Sequence, residues 1–183
     1  KIIERVHAFA LSKKANKPIR ALMLGLGGGT MAQHLFHTLP ELQITVVELR
    51  QAVIDCAYQF FQLPNEPEIE AVQADALEFI AENEHLYDVI IVDIFDAQGM
   101  PSALSDIQFQ NNLWQTLNSP GLLIFNLWFQ WDAKQTSSSP IPTGETQQVL
   151  EFWQTLSNEN TDCILNRYNI QSSQNLIIEA LKK

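Results

Sequence analysis

The pattern of apolar and polar positions along the chain predicts an α/β fold. Short, mostly apolar segments predict strands at residues 21–24, 42–48, 69–74, 87–93 and 122–128. Apolar residues at helical spacing predict helices at residues 1–11, 31–39, 52–61, 77–83, 106–117 and 145–156. The segment 87–93 is the most hydrophobic of the predicted strands, so we expect it at the centre of a sheet.

The end of the chain departs from this alternation. Segments 162–168 and 175–181 predict two strands joined by a polar turn, which leaves no room for a crossover helix. Two such strands must pair antiparallel. The sequence therefore predicts a doubly wound sheet with a C-terminal antiparallel hairpin. Residues 94–104 read as a loop, 118–121 as a turn, and the Ser-, Pro- and Thr-rich segment 131–143 as a lid or an insert.

A glycine cluster directly follows the first predicted strand. Gly25, Gly27, Gly28 and Gly29 let the backbone turn tightly and approach a ligand, and the next segment begins a helix. Free N–H groups and the positive end of a helix dipole favour a nucleoside-containing cofactor there. Thr30 stands where a dinucleotide fingerprint requires Gly or Ala, which disfavours a nicotinamide or flavin enzyme.

Two acidic positions end the second and third predicted strands. Glu48 is placed to accept hydrogen bonds from the two ribose hydroxyls of a nucleoside, although it could instead be a solvated strand end. Asp75 is placed to contact an adenine amino group while Ala76 leaves space for the ring. The alternative for Asp75 is a helix N-cap, and both roles can hold at once.

Composition narrows the class of partner. The chain has 183 residues and a formal net charge of -10, and its 11 Lys and Arg residues are too few for a nucleic-acid-binding surface. The acidic charge favours solubility and tolerates cationic small molecules. Cys56 and Cys163 lie in apolar surroundings and are expected to be buried, reduced thiols. There is no membrane-spanning run and no signal peptide, so we expect a cytoplasmic protein, with a segment possible upstream of Lys1.

Four segments together resemble the spermidine synthase family: residues 24–29, 47–49, 74–76 and 87–96. The resemblance extends from about residue 19 to the end of the chain. It implies a Rossmann-like, seven-stranded sheet of the class I S-adenosylmethionine-dependent methyltransferase type. It also implies transfer of an aminopropyl group from decarboxylated S-adenosylmethionine to putrescine, without a metal.

This chemistry requires a base for the attacking amine, whose free pKa is about 10.4. Asp93, at the end of the most hydrophobic strand, would accept the proton, and Asp96 would orient the diamine. The resemblance implies the same two roles. The alternatives are a loop cap for Asp93 and a turn residue for Asp96.

The chain departs from the family pattern at three points. Thr30 replaces an acid that holds the amine of the decarboxylated cofactor, Arg50 replaces an acid after the ribose-binding Glu, and the family's N-terminal β-domain is absent from residues 1–183. We therefore expect a single nucleoside-binding catalytic domain. Three functions stay open: aminopropyl transfer, methyl transfer from S-adenosylmethionine to an unknown acceptor, and nucleoside binding without turnover. Family members form dimers, so a homodimer is possible.

The remaining aromatic and histidine residues have simpler interpretations. His34 and His37 lack accompanying acids or cysteines and are not expected to bind metal. Trp114 and Trp153 are expected in the core, whereas Trp128 and Trp131 are candidates for the wall of a pocket. Residues 98–101 are expected to form part of its rim.

Overall fold

In the computed structural model, which describes residues 1–13, 17–96, 99–128, 144–170 and 175–183, one sheet of seven strands carries helices on both faces. The strands are β1 (Ile19–Leu24), β2 (Leu42–Glu48), β3 (Ile69–Gln73), β4 (Tyr87–Val92), β5 (Leu117–Trp128), β6 (Cys163–Ile170) and β7 (Asn175–Lys182). The described helices are α1 (Ile2–Lys13), α2 (Thr30–Thr38), α3 (Gln51–Phe60), α4 (Ala76–Glu82), α5 (Ile107–Thr116) and α6 (Gly144–Glu159).

The strand order is β3-β2-β1-β4-β5-β7-β6. Strands β1 to β5 are parallel, β7 pairs antiparallel with β5, and β6 pairs antiparallel with β7. The predicted doubly wound sheet and C-terminal hairpin are therefore confirmed.

The central strands are apolar because both of their faces are buried. In β1, Ala21 and Met23 pack on the side of α1, α2 and α3, whereas Leu22 and Leu24 pack on the side of α4, α5 and α6. All six residues of β4 are buried, and this strand is the fourth of seven in the sheet. The prediction of a central β4 is confirmed.

The apolar face predicted for α3 is only partly correct. It comprised Ala52, Val53, Cys56, Ala57, Phe60 and Phe61. In the structure Ile54 and Ala57 are the buried residues of the helix, and Phe60 is 72% exposed. Residues four apart share a helix face, so Cys56 and Phe60 form a second apolar stripe that points away from the sheet. Cys56 is thus exposed, and its predicted burial is wrong.

The hydrophobic core between the sheet and helices α4, α5 and α6 contains Trp153 and Trp114, which were both predicted to lie in the core. Trp153 is fully buried, and its indole N–H donates to Oε1 of Gln110 at 2.6 Å. Trp114 is half-buried and meets Trp153 edge to face, with ring centroids 5.9 Å apart. Cys163 is buried as predicted, and burial raises the pKa of its thiol.

Two connections differ in detail from the prediction. Strand β5 begins at Leu117, because Leu117 already pairs with Tyr87 before the pairing resumes at Val89 and Leu122. The predicted turn at 118–121 is thus an interruption within the strand. A 3-10 turn at Ser102–Ser105 overlaps the end of the predicted loop 94–104. Residues 131–143 lie outside the described part of the chain.

A buried ion pair fixes α1 against the end of the sheet. Glu179 on β7 is fully buried and accepts a 2.9 Å hydrogen bond from Nη2 of Arg5, which also contacts it through Nε. Nδ2 of Asn166 donates to the same carboxylate at 2.8 Å. A buried carboxylate requires such partners, so this contact determines where the N-terminus of α1 lies.

Candidate functional site

The candidate site lies where the strand order reverses, at the carboxyl ends of β1 and β4. Such a crevice is the usual ligand position in doubly wound sheets. The Asp93 N–H donates to the carbonyl of Leu24 at 2.9 Å, so the two strand ends are joined directly. Gly25 has a φ of +98°, and a Cβ there would lie 2.2 Å from the carbonyl oxygen of Asp93. Only glycine fits this approach.

The glycine loop turns the chain from β1 into α2, as predicted. Gly27 and Gly29 have positive φ values of +56° and +71°. The N–H of Gly29 donates to the carbonyl of Leu26 at 2.9 Å, and α2 begins at Thr30. A Cβ on Gly27 would meet nothing within 4 Å, so this part of the loop faces open space.

Glu48 joins the end of β2 to the glycine loop. Its residue is 7% exposed, and its carboxylate accepts hydrogen bonds from the N–H of Leu26 at 3.2 Å and the N–H of Arg50 at 3.1 Å. The alternative of a solvated strand end is therefore wrong. The ribose-binding role of Glu48 stays a prediction.

Asp75 caps α4. Its Oδ1 accepts from the N–H of Leu77 at 2.8 Å and from the N–H of Glu78 at 3.3 Å. The N-cap alternative is thus confirmed, while none of the hydrogen bonds given by the described residues uses Oδ2. The N–H of Ala74 donates to the carbonyl of Glu48 at 3.1 Å, which brings the ends of β2 and β3 together.

A cavity of about 580 Å³ opens beside the glycine loop. Its walls come from the loop, the first residues of α1, and the ends of β5 and β7. Of the predicted site residues, Gly27, Gly28, Thr30 and Asp93 line this cavity. Glu48, Asp75 and Asp96 are not among its lining residues, so the structure divides the predicted site into two neighbouring parts.

Asp93 is the acidic residue among the described residues that line this cavity. Its carboxylate is half-buried, and Oδ1 accepts a 2.8 Å hydrogen bond from Nδ2 of Asn126. Burial raises the pKa of Asp93, and the Asn126 hydrogen bond opposes that rise. The interpretation of Asp93 as a mere loop cap does not account for a carboxylate that lines a cavity.

The sequence analysis did not predict two asparagines that belong to the cavity. Asn126 and Asn175 both line the cavity, and Nδ2 of Asn175 donates to Oδ1 of Asn126 at 2.7 Å. The available signal was Asn126 itself, a polar residue within the apolar run of β5. Polar side chains inside such a run require a partner, and here the partner is Asp93.

Asp96 lies after the end of β4, and its backbone is hydrogen-bonded to that of Gly99. Its N–H donates to the carbonyl of Gly99 at 2.8 Å, and Asp96 itself is exposed. The backbone hydrogen bond to Gly99 is compatible with the turn-residue interpretation, and substrate contact stays a prediction. A Cβ on Gly99 would lie 3.0 Å from the Trp128 ring, so Trp128 packs directly against Gly99. Gln98 and Trp131 lie outside the described residues.

Comparison with known proteins places the chain in a family. Residues 4–138 match the model of the spermine/spermidine synthase domain. This chain belongs to that family. A polyamine aminopropyltransferase of Neisseria meningitidis serogroup A is 36% identical over 112 residues, which cover 61% of this chain and 43% of the relative. The match thus spans less than half the length of that relative.

Solved structures show the same fold. Human methyltransferase-like protein 13, solved in complex with SAH, has a TM-score of 0.77 at 22% identity, with 98% of this chain and 81% of that chain covered. A probable spermidine synthase from Corynebacterium glutamicum has a TM-score of 0.75 at 20% identity, with coverages of 97% and 60%. The fold is therefore the Rossmann-like methyltransferase fold.

Two departures from the spermidine synthase pattern fall at defined places. Thr30, the first residue of α2, is exposed and lines the cavity. The Arg50 side chain is 67% exposed, and its Nε lies 3.5 Å from Oε1 of Glu48. Thr30 therefore lies at the cavity, whereas Arg50 is not among the described residues that line it.

The described residues contain no group of three or more His, Cys, Asp or Glu side chains that could hold a metal ion. Across the same part of the chain, none of the helices combines the length and apolar character needed to cross a membrane.

Proposed function

We propose that this chain is a spermidine synthase-like transferase that binds S-adenosylmethionine or its decarboxylated form and transfers an aminopropyl group to a polyamine such as putrescine. The observation that carries the proposal is the half-buried Asp93 carboxylate, which shares a cavity with the glycine loop at the end of the central strand. In this proposal residues 1–183 act as one nucleoside-binding catalytic domain.

The residues at the strand ends suit a nucleoside. Glu48 would accept hydrogen bonds from the ribose hydroxyls through a carboxylate that two N–H groups already orient. Asp75 would use Oδ2 for the adenine amino group, because its helix-capping bonds use Oδ1, and Ala76 would leave room for the ring. Gly25, Gly27, Gly28, Gly29 and Thr30 would border the rest of the molecule. The cofactor, when bound, would supply a carbon activated by the adjacent positive sulfur.

Asp93 would act on the acceptor amine. An alkylamine with a pKa of about 10.4 is protonated near neutral pH and must lose a proton before its nitrogen can form the new C–N bond. Asp93 would accept that proton, and because burial raises its pKa it would hold the proton better than an exposed Asp. Asp96 would attract the distant amine of the substrate from its exposed position.

Methyl transfer is the second candidate, and Thr30 is the observation that favours it. Decarboxylated S-adenosylmethionine has a positively charged amine and no carboxylate beside it, and a neutral threonine cannot supply the negative charge that would pair with this amine. Lys1 and His34 line the same cavity and suit a cofactor that keeps its carboxylate. The resemblance in fold to a methyltransferase is compatible with this candidate. Nucleoside binding without turnover is the third candidate function.

Calorimetry with S-adenosylmethionine, its decarboxylated form and methylthioadenosine tests the proposal. Glu48→Gln keeps the shape of the side chain but removes its charge, and we expect methylthioadenosine to bind about 10-fold more weakly or worse, because hydrogen bonds to a charged group are worth about 1.5–3 kcal/mol. Glu41→Gln, at an exposed position just before the start of β2, is the matched control.

Each result of the calorimetry has a distinct meaning. Tighter binding of the decarboxylated form supports aminopropyl transfer despite Thr30. Tighter binding of intact S-adenosylmethionine favours the methyltransferase. If none of the three nucleosides binds, the cofactor assignment is wrong.

A further inference from the structure

Three polar side chains from neighbouring strands meet in the cavity. Asp93 follows β4, Asn126 belongs to β5 and Asn175 begins β7. The register aligns Val92 with Phe125, so the next residues, Asp93 and Asn126, lie side by side. Asn126 aligns with Ile177, and Asn175, two positions away, lies on the same face of β7.

The hydrogen bonds between these side chains have a fixed direction. Nδ2 of Asn175 donates to Oδ1 of Asn126 at 2.7 Å, and Nδ2 of Asn126 donates to Oδ1 of Asp93 at 2.8 Å. An amide has its acceptor and its donors at opposite ends. Once Asn175 donates to the Asn126 oxygen, the Asn126 nitrogen must face Asp93.

We infer that Asn126 and Asn175 are positioning residues, which together orient the Asp93 carboxylate toward the acceptor amine. The inference rests on the proposed function for the role of Asp93. Because Asn126 occupies Oδ1, the other oxygen of Asp93 is the one that receives the proton. Asn175 has no direct part in the reaction and acts through the orientation of Asn126.

The same hydrogen bond adjusts the charge state of Asp93. Burial favours the neutral acid, whereas a donor to Oδ1 favours the ionised carboxylate that a base requires. A reversed Asn126 amide would present an oxygen to Asp93 and would oppose ionisation. Among the described residues that line the cavity, the other ionisable side chains are Lys1 and His34.

The test is an NMR titration of the Asp93 side-chain carboxyl, assigned with Asp93→Asn and measured without any ligand. We expect Asn126→Leu to raise the titration midpoint by about one pH unit, because it removes a hydrogen bond to the charged form. Asn175→Leu should raise it in the same direction. Asn169→Leu, on the neighbouring strand β6 and exposed, is the matched control and should leave it unchanged.

The double variant Asn126→Leu/Asn175→Leu separates a chain of hydrogen bonds from two independent effects. If Asn175 acts through Asn126, the double variant titrates like Asn126→Leu alone. An additional shift in the double variant, or no shift in either single variant, overturns the inference. Alanine variants replace leucine wherever thermal unfolding shows that the leucine variant does not fold.

This outcome is separable from the fate of the proposed function. A chain that binds no nucleoside but whose Asp93 midpoint moves as described refutes the cofactor and supports the positioning of Asp93. A chain that binds methylthioadenosine normally while the Asp93 midpoint stays fixed in every variant supports the cofactor assignment and refutes the positioning of Asp93.

Discussion

Gly25 and Gly27 provide a matched pair of substitutions within one loop. Both have positive φ values, +98° and +56°, so alanine is strained at either position. A Cβ at Gly25 would also lie 2.2 Å from the carbonyl oxygen of Asp93, whereas a Cβ at Gly27 would meet nothing within 4 Å. The difference between the two variants therefore isolates the steric contact between the ends of β1 and β4.

The contact energies give the size of the difference. Alanine at positive φ costs about 1–2 kcal/mol, which is the whole expected cost at Gly27. At Gly25 the backbone of the loop or of Asp93 must also move apart, which adds about 2–3 kcal/mol, in the upper range for inserting an atom into a packed site. For a chain of this length each kcal/mol lowers the melting temperature by about 2–4 °C. Gly25→Ala should therefore melt about 4–12 °C below Gly27→Ala.

Thermal unfolding followed by circular dichroism measures this difference, and methylthioadenosine calorimetry supplies a second comparison. Gly27 lines the cavity, so its added methyl group should weaken nucleoside binding at a stability cost of about 1–2 kcal/mol, smaller than that of Gly25→Ala. Equal melting temperatures for the two variants would refute the assignment of Gly25 to the contact with Asp93. Unchanged binding by Gly27→Ala would refute the position of the nucleoside along this loop.

Two further predictions concern buried polar groups outside the site. Burial acts to raise the pKa of Asp88, but hydrogen bonds from Lys13, the Arg20 N–H and Asn118 together hold this pKa below its ordinary value. Asp88 therefore stabilises the fold at neutral pH, and this contribution is lost as the pH falls through the lowered pKa. Asp88→Asn should therefore melt lower than wild type at pH 7, with the gap closing below pH about 4; a constant gap would contradict this. Gln110→Leu leaves the Trp153 indole N–H without its acceptor and should lower the free energy of unfolding by about 1–3 kcal/mol. Gln108→Leu, at an exposed position of the same helix, is the control and should have no such effect. Equal free energies of unfolding for the two variants in a denaturant titration would show that the hydrogen bond does not stabilise the fold.

The sequence predicted the sheet well because its central strands are buried on both faces. A continuous apolar run such as Tyr87–Val92 has one ready interpretation when turns bound it. The error on α3 has an equally physical cause. Its sequence contains two apolar stripes, and the pattern alone does not tell whether Ile54 or Phe60 faces the sheet. Packing against β2 and β3 decides this, and it depends on the rest of the fold.

The candidate site was predictable where one local segment defines it and unpredictable where distant strands meet. The glycine loop and Glu48 follow from strand ends and glycines that lie close together in the sequence. Asn126 is 33 residues from Asp93 and 49 from Asn175, and their contact arises from the order β4-β5-β7. The insertion of β7 between β5 and β6 is a property of the whole sheet, so no single segment could indicate that Asn175 reaches the cavity.

Strand β4 contrasts a structural acid with a candidate catalytic one. Asp88, near its start, has a cation, an N–H group and an amide as partners, and its pKa is lowered despite burial. Asp93, just after its end, accepts from the neutral amide of Asn126, and burial raises its pKa. A stabilising carboxylate is best kept ionised, whereas a base must be able to accept a proton. A cation such as Lys13 beside Asp93 would lower its pKa and oppose that proton transfer. The two acids therefore differ as expected for a structural role of Asp88 and the proposed role of Asp93 as a base.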